Sequence, residues 1–412
     1  MNFNFLHCAD LHLDSPLIGL GHRSREFAER VDNASRQAFD NLIALAMEAE
    51  CRFVLISGDV FDGEWRDYGT GLFFADRMRR LRDVGINVYM ILGNHDAENR
   101  FAGRLDLSDN VYRLSHKKPE SVALEELGVV IHGRSFPQRD VTENLALGYP
   151  APVPGRFNIG ILHTACSGRD GHAPYAPCSV AQLVSHGYDY WALGHVHTRE
   201  VLSSDPYIVF PGNLQGRNSR ETGAKGATVV SVADRRVVSI THCPLDILRW
   251  ESRQLDVAAA ENVSAVYALA RLAFEQACDA SDGRALALRL TLKGETSLHH
   301  ELVAKRAMLS EEIETIAASV SGDLWIDGCE VATTSPPREA GIDPSIAGEL
   351  RRAVEDLSND DLMTKCLERT LNDLRLKMPA RANRDEFFAE LRAEVPRLAL
   401  ENALSLIEPG DR

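Results

Sequence analysis

An α/β fold, with a mixed sheet or two packed sheets and helices outside, is what residues 1–250 predict, and three observations carry it. Short β-like runs alternate with amphipathic helical stretches between residues 3 and 92. Further apolar runs follow at close spacing. Polar side chains able to bind metal stand just beyond several of these runs, where strand ends of an α/β sheet open onto a ligand crevice.

The elements follow in order. "FNFLHCA" (3–9), "RFVLIS" (52–57) and "INVYMIL" (86–92) read as strands, with helical patterns near 33–50 and 70–84. In the first helix Ala38, Leu42, Leu45 and Ala49 recur at helical spacing. "VVIHG" (129–133), "FNIGILH" (157–163), "YDYWALG" (188–194), "YIVF" (207–210), "ATVVSV" (227–232) and "VVSITHC" (237–243) are the later strands. Their close succession predicts antiparallel hairpins. Residues 251–332 read as a small α+β module. A helix at 261–278 precedes "RALALRLTL" (284–292), where Leu286, Leu288, Leu290 and Leu292 alternate on one face, and a helix at 300–319 precedes "DLWIDGCEV". Residues 333–344 ("TTSPPREAGIDP") read as a linker by their Pro, Ser and Gly content. Residues 345–412 form a C-terminal helical region with three helical patterns, the last expected to kink or split at Pro396.

The chain of 412 residues is 44% hydrophobic and 25% charged, which suits a globular protein. No apolar run approaches the roughly 20 residues that span a bilayer, so no membrane association is expected. The start lacks the basic-then-apolar pattern of a secretory signal. Cys8, Cys51, Cys166, Cys178, Cys243, Cys278, Cys329 and Cys366 form no CxxC pair, so a cytoplasmic location is expected, without a disulfide framework. The net charge of −15 opposes general attraction to nucleic acid. A DNA role would need a local basic patch, bound cations or a basic partner. There is no GxxxxGK[ST] run, hence no Walker-type ATPase within the sequence.

Five places repeat one pattern, an apolar strand followed by candidate ligands: "ADLH" (Asp10, His12), "SGDVFD" (Asp59, Asp62), "LGNHD" (Asn94, His95, Asp96), "ILHT" (His163) and "LGHVH" (His195, His197). Strand alternation would place Asp10 with His12, and His195 with His197, on one side. Gly58, Gly93 and Gly194 are expected to allow tight turns. Carboxylates, imidazoles and an amide without thiolate suit manganese, iron or zinc. The set is too large for one ion; two ions sharing Asp59 would clamp a phosphate and acidify a water.

In that order, D-x-H, G-D-x-x-D, G-N-H-D, H and G-H-x-H, the motifs resemble the calcineurin-like metallophosphoesterase superfamily, and they span residues 10–197. The resemblance implies a four-layer α-β-β-α sandwich. It implies one metal on Asp10, His12, Asp59 and His197, and another on Asp59, Asn94, His163 and His195. Two divalent ions, manganese first, would supply a bridging hydroxide that attacks phosphorus. His95 would stabilise charge and protonate the leaving oxygen, and Asp62 would hold its ring. Protein phosphatases of the superfamily carry Arg after the second Asp, where this chain has Gly63 in "GDVFDGE". "GDVFD" and "FPGNLQGRNSRETGAKG" are similar to the SbcD-type DNA repair exonucleases, and "ADLHLDSP" with "LKGETSLH" (292–299) to their YhaO group. That likeness implies a DNA exo- or endonuclease with 251–332 as a capping domain, an SbcC-like coiled-coil ATPase docked on the terminal helices, and a homodimer. Phosphodiesterase action on small or cyclic nucleotides, and a non-catalytic scaffold, are the alternatives.

Arg217, Arg220 and Lys225 of "GRNSRETGAK" are candidate DNA-backbone contacts. "RMRRLR" (77–82) reads as a solvated helix face, and Trp65 and Tyr68 as packing residues that would otherwise stack a base. Asp14 reads as a turn residue, Asp96 as a loop cap, His7 as a core or helix-facing histidine, and His132, His172 and His186 as incidental.

Overall fold

A computed structural model of the chain describes residues 2–17, 31, 33–62, 68–98, 105–166, 175–336 and 361–377, with scattered helical positions between 348 and 399. The chain divides into two compact units, Met1–Glu251 with Ser281–Ala287, and Ser252–Ala280 with Leu288–Arg412.

The first unit holds two six-stranded sheets. In one, β1 (Asn2–Cys8), β2 (Cys51–Ser57), β3 (Asn87–Ile91) and β4 (Val111–Arg113) run parallel. The hairpin of β11 (Gly226–Ala233) and β12 (Arg236–Pro244) adds antiparallel to β1. α1 (Ala34–Glu48) and α2 (Gly69–Asp83) cover its outer face, packing Ala38, Phe39, Leu42, Phe74, Met78 and Leu81 against Leu6, Cys8, Val54 and Ile56. α3 (Asn94–Glu98) follows β3 directly.

The other sheet has the order β5-β6-β7-β8-β10-β9. Its strands are β5 (Glu120–Leu124), β6 (Val129–Gly133), β7 (Phe157–His163), β8 (Tyr190–Gly194), β9 (Glu200–Ser204) and β10 (Tyr207–Phe210). α4 (Val180–His186), opened by a Ser179–Gln182 capping box, packs Leu183 with Trp191 and Leu193 on the outer face. Phe5 and Phe53 stack between the sheets at 5.1 Å, and Tyr190 meets Phe5 edge-on at 5.2 Å. Phe3, Leu55, Tyr89, Ile131, Phe157 and Ile159 complete that inner core. The layers are therefore helix, sheet, sheet, helix, as the motif pattern implied.

One expectation is corrected. Only β5–β6, β9–β10 and β11–β12 are antiparallel neighbours among the later strands; β6, β7, β8 and β10 run parallel. Strand spacing carries no direction. α4 lies between β7 and β8, and β9 stands between β8 and β10, so each link returns the chain to the same end. This puts the carboxyl ends of β1, β2, β3, β7 and β8 in position to supply the five motif loops.

The second unit contains α5 (Val263–Asp279), α6 (His299–Ala304) and α7 (Arg306–Val320). A three-stranded sheet, β13-β14-β15, is formed by Leu248–Asp256, Ala285–Glu295 and Leu324–Thr334. Leu288, Leu290 and Leu292 are fully buried, as are Val266 and Phe274 of α5 and Ile313 of α7. The single helix expected at 300–319 is broken at Lys305, and Thr333 and Thr334 belong to β15 rather than to a linker. Of the rest of the expected linker, Ser335 and Pro336 are exposed and outside any strand, and 337–344 lie outside the described residues. In the C-terminal region α8 spans Asp361–Lys377, and Pro396 sits inside a helical run, 394–399, without splitting it. No helix among the described residues is long and apolar enough to cross a membrane.

Candidate metal centre

Strand alternation does not pair Asp10 with His12: β1 ends at Cys8 and β8 at Gly194, so these residues stand on loops. Asp10, His12, Asp59 and His195 take positive φ of 52°, 41°, 53° and 99°. Four non-glycine residues in a sparsely allowed region mark strained loops that the surroundings must hold. The holding bonds are visible: Asp10 N–H donates to Gly58 O (3.0 Å), His12 N–H to Asp59 O (3.1 Å) and Leu13 N–H to Val60 O (3.0 Å). Asp10 also accepts the His195 N–H at 3.0 Å.

The three glycines serve two purposes. Gly58 has φ +93° and makes a turn. Gly93 and Gly194 are needed for close approach, since a Cβ would lie 2.2 Å from Asp59 Oδ1 and 2.0 Å from Ser57 O respectively. Gly194→Ala must push backbone apart beneath His195. We expect a loss of at least about 1–3 kcal/mol of stability, read by thermal denaturation; an unchanged melt would refute the close-packing role.

The candidate ligands gather in groups whose donor atoms lie within 4.8 Å of one another: Asp10, His12 and His197 in one, Asp59, His163 and His195 in the next. His163 Nδ1 faces Ser57 O at 2.9 Å, while Nε2 faces Asn94 Oδ1 at 2.9 Å and Asp59 Oδ2 at 3.3 Å. A neutral imidazole satisfies only one of two acceptor-facing nitrogens; a cation beside Nε2 satisfies the other. His12 Nε2 and His197 Nε2 face each other at 3.2 Å, with Asp10 Oδ1 4.0 Å from the latter. His197 Nδ1 meets Glu221 Oε1 at 2.8 Å, an acceptor that favours the proton on Nδ1 and leaves the Nε2 lone pair to face the group. Converging lone pairs on buried nitrogen and oxygen fit divalent cations.

The charges register the same crowding. Burial pushes Asp10 up to about 6, against the pull of His197 and His163. Burial would lower His163, but the Asp59 charge and hydrogen bond and the Asp10 charge raise it to about 9, so that without a cation a second proton takes the place on Nε2 that a bound ion would hold.

Beside these groups, His95 Nδ1 lies 2.9 Å from Asp62 Oδ1, and its N–H donates to Asp59 Oδ1 at 2.9 Å. Ser15 Oγ donates to Asp62 Oδ2 at 2.8 Å. Burial opposes both charges. Even so, His12 Nδ1 at 3.7 Å together with hydrogen bonds from His95 and Ser15 hold Asp62 well below the carboxylate range, and Asp62 and Asp59 raise His95 above its ordinary value.

A calcineurin-like phosphoesterase family model matches residues 3–199, and the YhaO metallophosphoesterase middle-domain model matches residues 250–334. The metallophosphoesterase YhaO of Bacillus subtilis (strain 168) is 33% identical over 368 residues, covering 88% of each chain. The chain belongs to the calcineurin-like metallophosphoesterases. DNA double-strand break repair proteins Mre11 are more distant relatives. That of Methanopyrus kandleri is 26% identical across 50% of this chain and 48% of its own length. That of Sulfolobus acidocaldarius is 25% identical across 55% and 60%. A dimetal phosphatase structure from Danio rerio is 13% identical with a TM-score of 0.36, covering 58% of this chain and 99% of its own.

As a metallophosphoesterase the chain is a metal-dependent phosphoester hydrolase, and its remaining site residues sort by contact. Asp96 accepts from the backbone of Val60, Phe61 and Gly93, so it ties two loops together. Asp14 pairs bidentately with Arg36 and accepts from Thr70 Oγ1, a strut rather than a ligand. His7 is buried between the sheets against Tyr190 and Ser57. Arg217 lies 3.7 Å from Asp62 and 3.3 Å from Glu221. Arg220 is exposed. Lys225 corrects the sequence reading: it is 4% exposed and its Nζ donates to His197 O at 2.9 Å, so it braces the His197 loop and offers nothing to DNA. Trp65 and His172 lie outside the described residues. Sequence reasoning missed Glu221. It lies in the same "GRNSRETGAK" run, where nothing in the sequence sets it apart from its charged neighbours.

Proposed function

We propose that this metallophosphoesterase is a two-metal DNA nuclease of SbcD type that works in DNA repair with an SbcC-like ATPase. The observation that carries the chemistry is the meeting of two ligand groups beside one Asp-held histidine. In this reading Asp10, His12, Asp59 and His197 hold one ion and Asp59, Asn94, His163 and His195 the other, with manganese as the expected metal. Two bound divalent cations neutralise phosphate charge and lower the pKa of a water. Because Asp62 occupies His95 Nδ1, Nε2 is the ring atom left to pass a proton to the leaving oxygen. The break-repair proteins among the relatives favour DNA as substrate. The net charge of −15 favours a partner or cations that supply the attraction. Arg217 and Arg220 are the backbone contacts of this reading. Residues 251–332 are the capping domain of this reading, residues 345–412 dock the ATPase, and the chain works as a homodimer.

The test is the purified full chain with manganese, offered linear double-stranded DNA and cyclic dinucleotides in parallel. Cleavage of the DNA is expected. Turnover of the cyclic substrate alone would sink the nuclease reading in favour of a small-nucleotide phosphodiesterase.

A further inference from the structure

We infer that Glu221 is a positioning residue that sets the tautomer and aim of His197, and through it the hold on the metal shared with Asp10 and His12. The inference rests on the two-metal reading above.

Glu221 is mostly buried, with its side chain 11% exposed. Its Oε1 meets His197 Nδ1 at 2.8 Å. Its Oε2 accepts from Asn213 Nδ2 at 2.7 Å and from the Arg217 N–H at 2.8 Å. Arg217 Nη2 adds a contact to Oε1 at 3.3 Å. The same loop grips the backbone of His197: Asn213 N–H donates to His197 O at 3.3 Å and Lys225 Nζ at 2.9 Å. Ring and main chain of this one histidine are thus both held by residues 213–225.

A carboxylate on the far nitrogen of a metal-binding imidazole fixes which nitrogen carries the proton and strengthens the other as a donor. His163, in the other ligand group, takes its second partner from the Ser57 carbonyl. The two groups therefore have separate supports, and removing Glu221 should weaken one ion and spare the other. The competing explanation is that Glu221 only braces its own loop through Asn213 and Arg217.

Metal content after dialysis, by elemental analysis, and manganese titration calorimetry separate these. The wild-type chain is expected to hold two ions; failure there overturns the two-metal reading before Glu221 is tested. Glu221→Ala should retain one ion and bind the other about 10–100-fold more weakly. Glu221→Gln should fall between, since its one acceptor oxygen serves either His197 or the two N–H donors. Asn213→Ala removes the loop brace but leaves the His197 contact, and should keep both ions. Melting curves establish that each variant is folded. Unchanged affinity in Glu221→Ala, equal weakening of both ions, or an equal loss in Asn213→Ala would overturn the inference.

Discussion

His95→Ala is expected to slow DNA cleavage by about 10²–10⁴-fold, the range for losing a positioned general acid, or roughly 3–5 kcal/mol of barrier. Metal content should not change, because the two principal ligand groups form without His95. The loss should depend on the leaving group. A nucleoside oxygen departs as a strongly basic alkoxide and needs the proton; a nitrophenolate does not. A bis-nitrophenyl phosphodiester should therefore be cleaved with a smaller deficit than DNA. Equal deficits on both would mean that His95 acts by charge alone, and no deficit on either would remove it from the mechanism.

The same residue predicts a pH shift whose sign can be worked out. The acid form is the imidazolium, and Asp62 and Asp59 raise its pKa above the ordinary 6.5 despite burial. Proton donation is thus present below that raised pKa and lost as pH climbs through it. Asp62→Asn removes the acceptor charge and leaves burial and the Arg217 charge, both of which disfavour the cation. The falling alkaline limb of DNA cleavage should move to lower pH in this variant. A limb that stays put would show that some other group limits the rate.

How much of this was legible depended on whether a residue's type announced its task. Asp10, His12, Asp59, Asn94, His163, His195 and His197 could be gathered from sequence because their types and order are rarely shared by unrelated chains. The backbone that gathers them could not. The sequence reading relied on strand alternation, but Asp10, His12, Asp59 and His195 stand on loops with positive φ, a feature fixed by tertiary hydrogen bonds such as Asp10 to Gly58. β5 and β9 went unread because "ESVAL" and "EVLSS" are sheet edges, half exposed, with little apolar periodicity. Lys225 misled because lysine in a glycine-rich run reads as solvated, whereas here its amine is spent on a carbonyl. Glu221 was illegible for the opposite reason: one carboxylate among charged neighbours carries no signal until its distance to an imidazole is known.

Asp59 is the position at which one change should disable the whole centre. It is 1% exposed, its Oδ2 lies 3.3 Å from His163, and its Oδ1 takes the His95 N–H at 2.9 Å. Its charge also acts on Asp10 and His12, in the other ligand group. In the proposed assignment Asp59 is shared by both ions, so its loss is expected to cost both. Ligand binding raises stability by about 2.7 kcal/mol per site at a hundredfold excess over Kd, so two sites should give roughly twice that. Wild-type protein should melt higher with manganese and return to its metal-free melting temperature in chelator. Asp59→Asn keeps the side-chain size and an oxygen for the His95 N–H but removes the charge. It should gain neither increment and hydrolyse phosphodiesters no faster than chelated wild-type protein. Asp10→Asn keeps an oxygen for the His195 N–H and, in the proposed assignment, removes a ligand from one ion alone, so it should keep one increment. If Asp59→Asn still gains one full increment while Asp10→Asn gains none, Asp10 rather than Asp59 is the shared ligand, and the assignment of residues to the two ions must be redrawn.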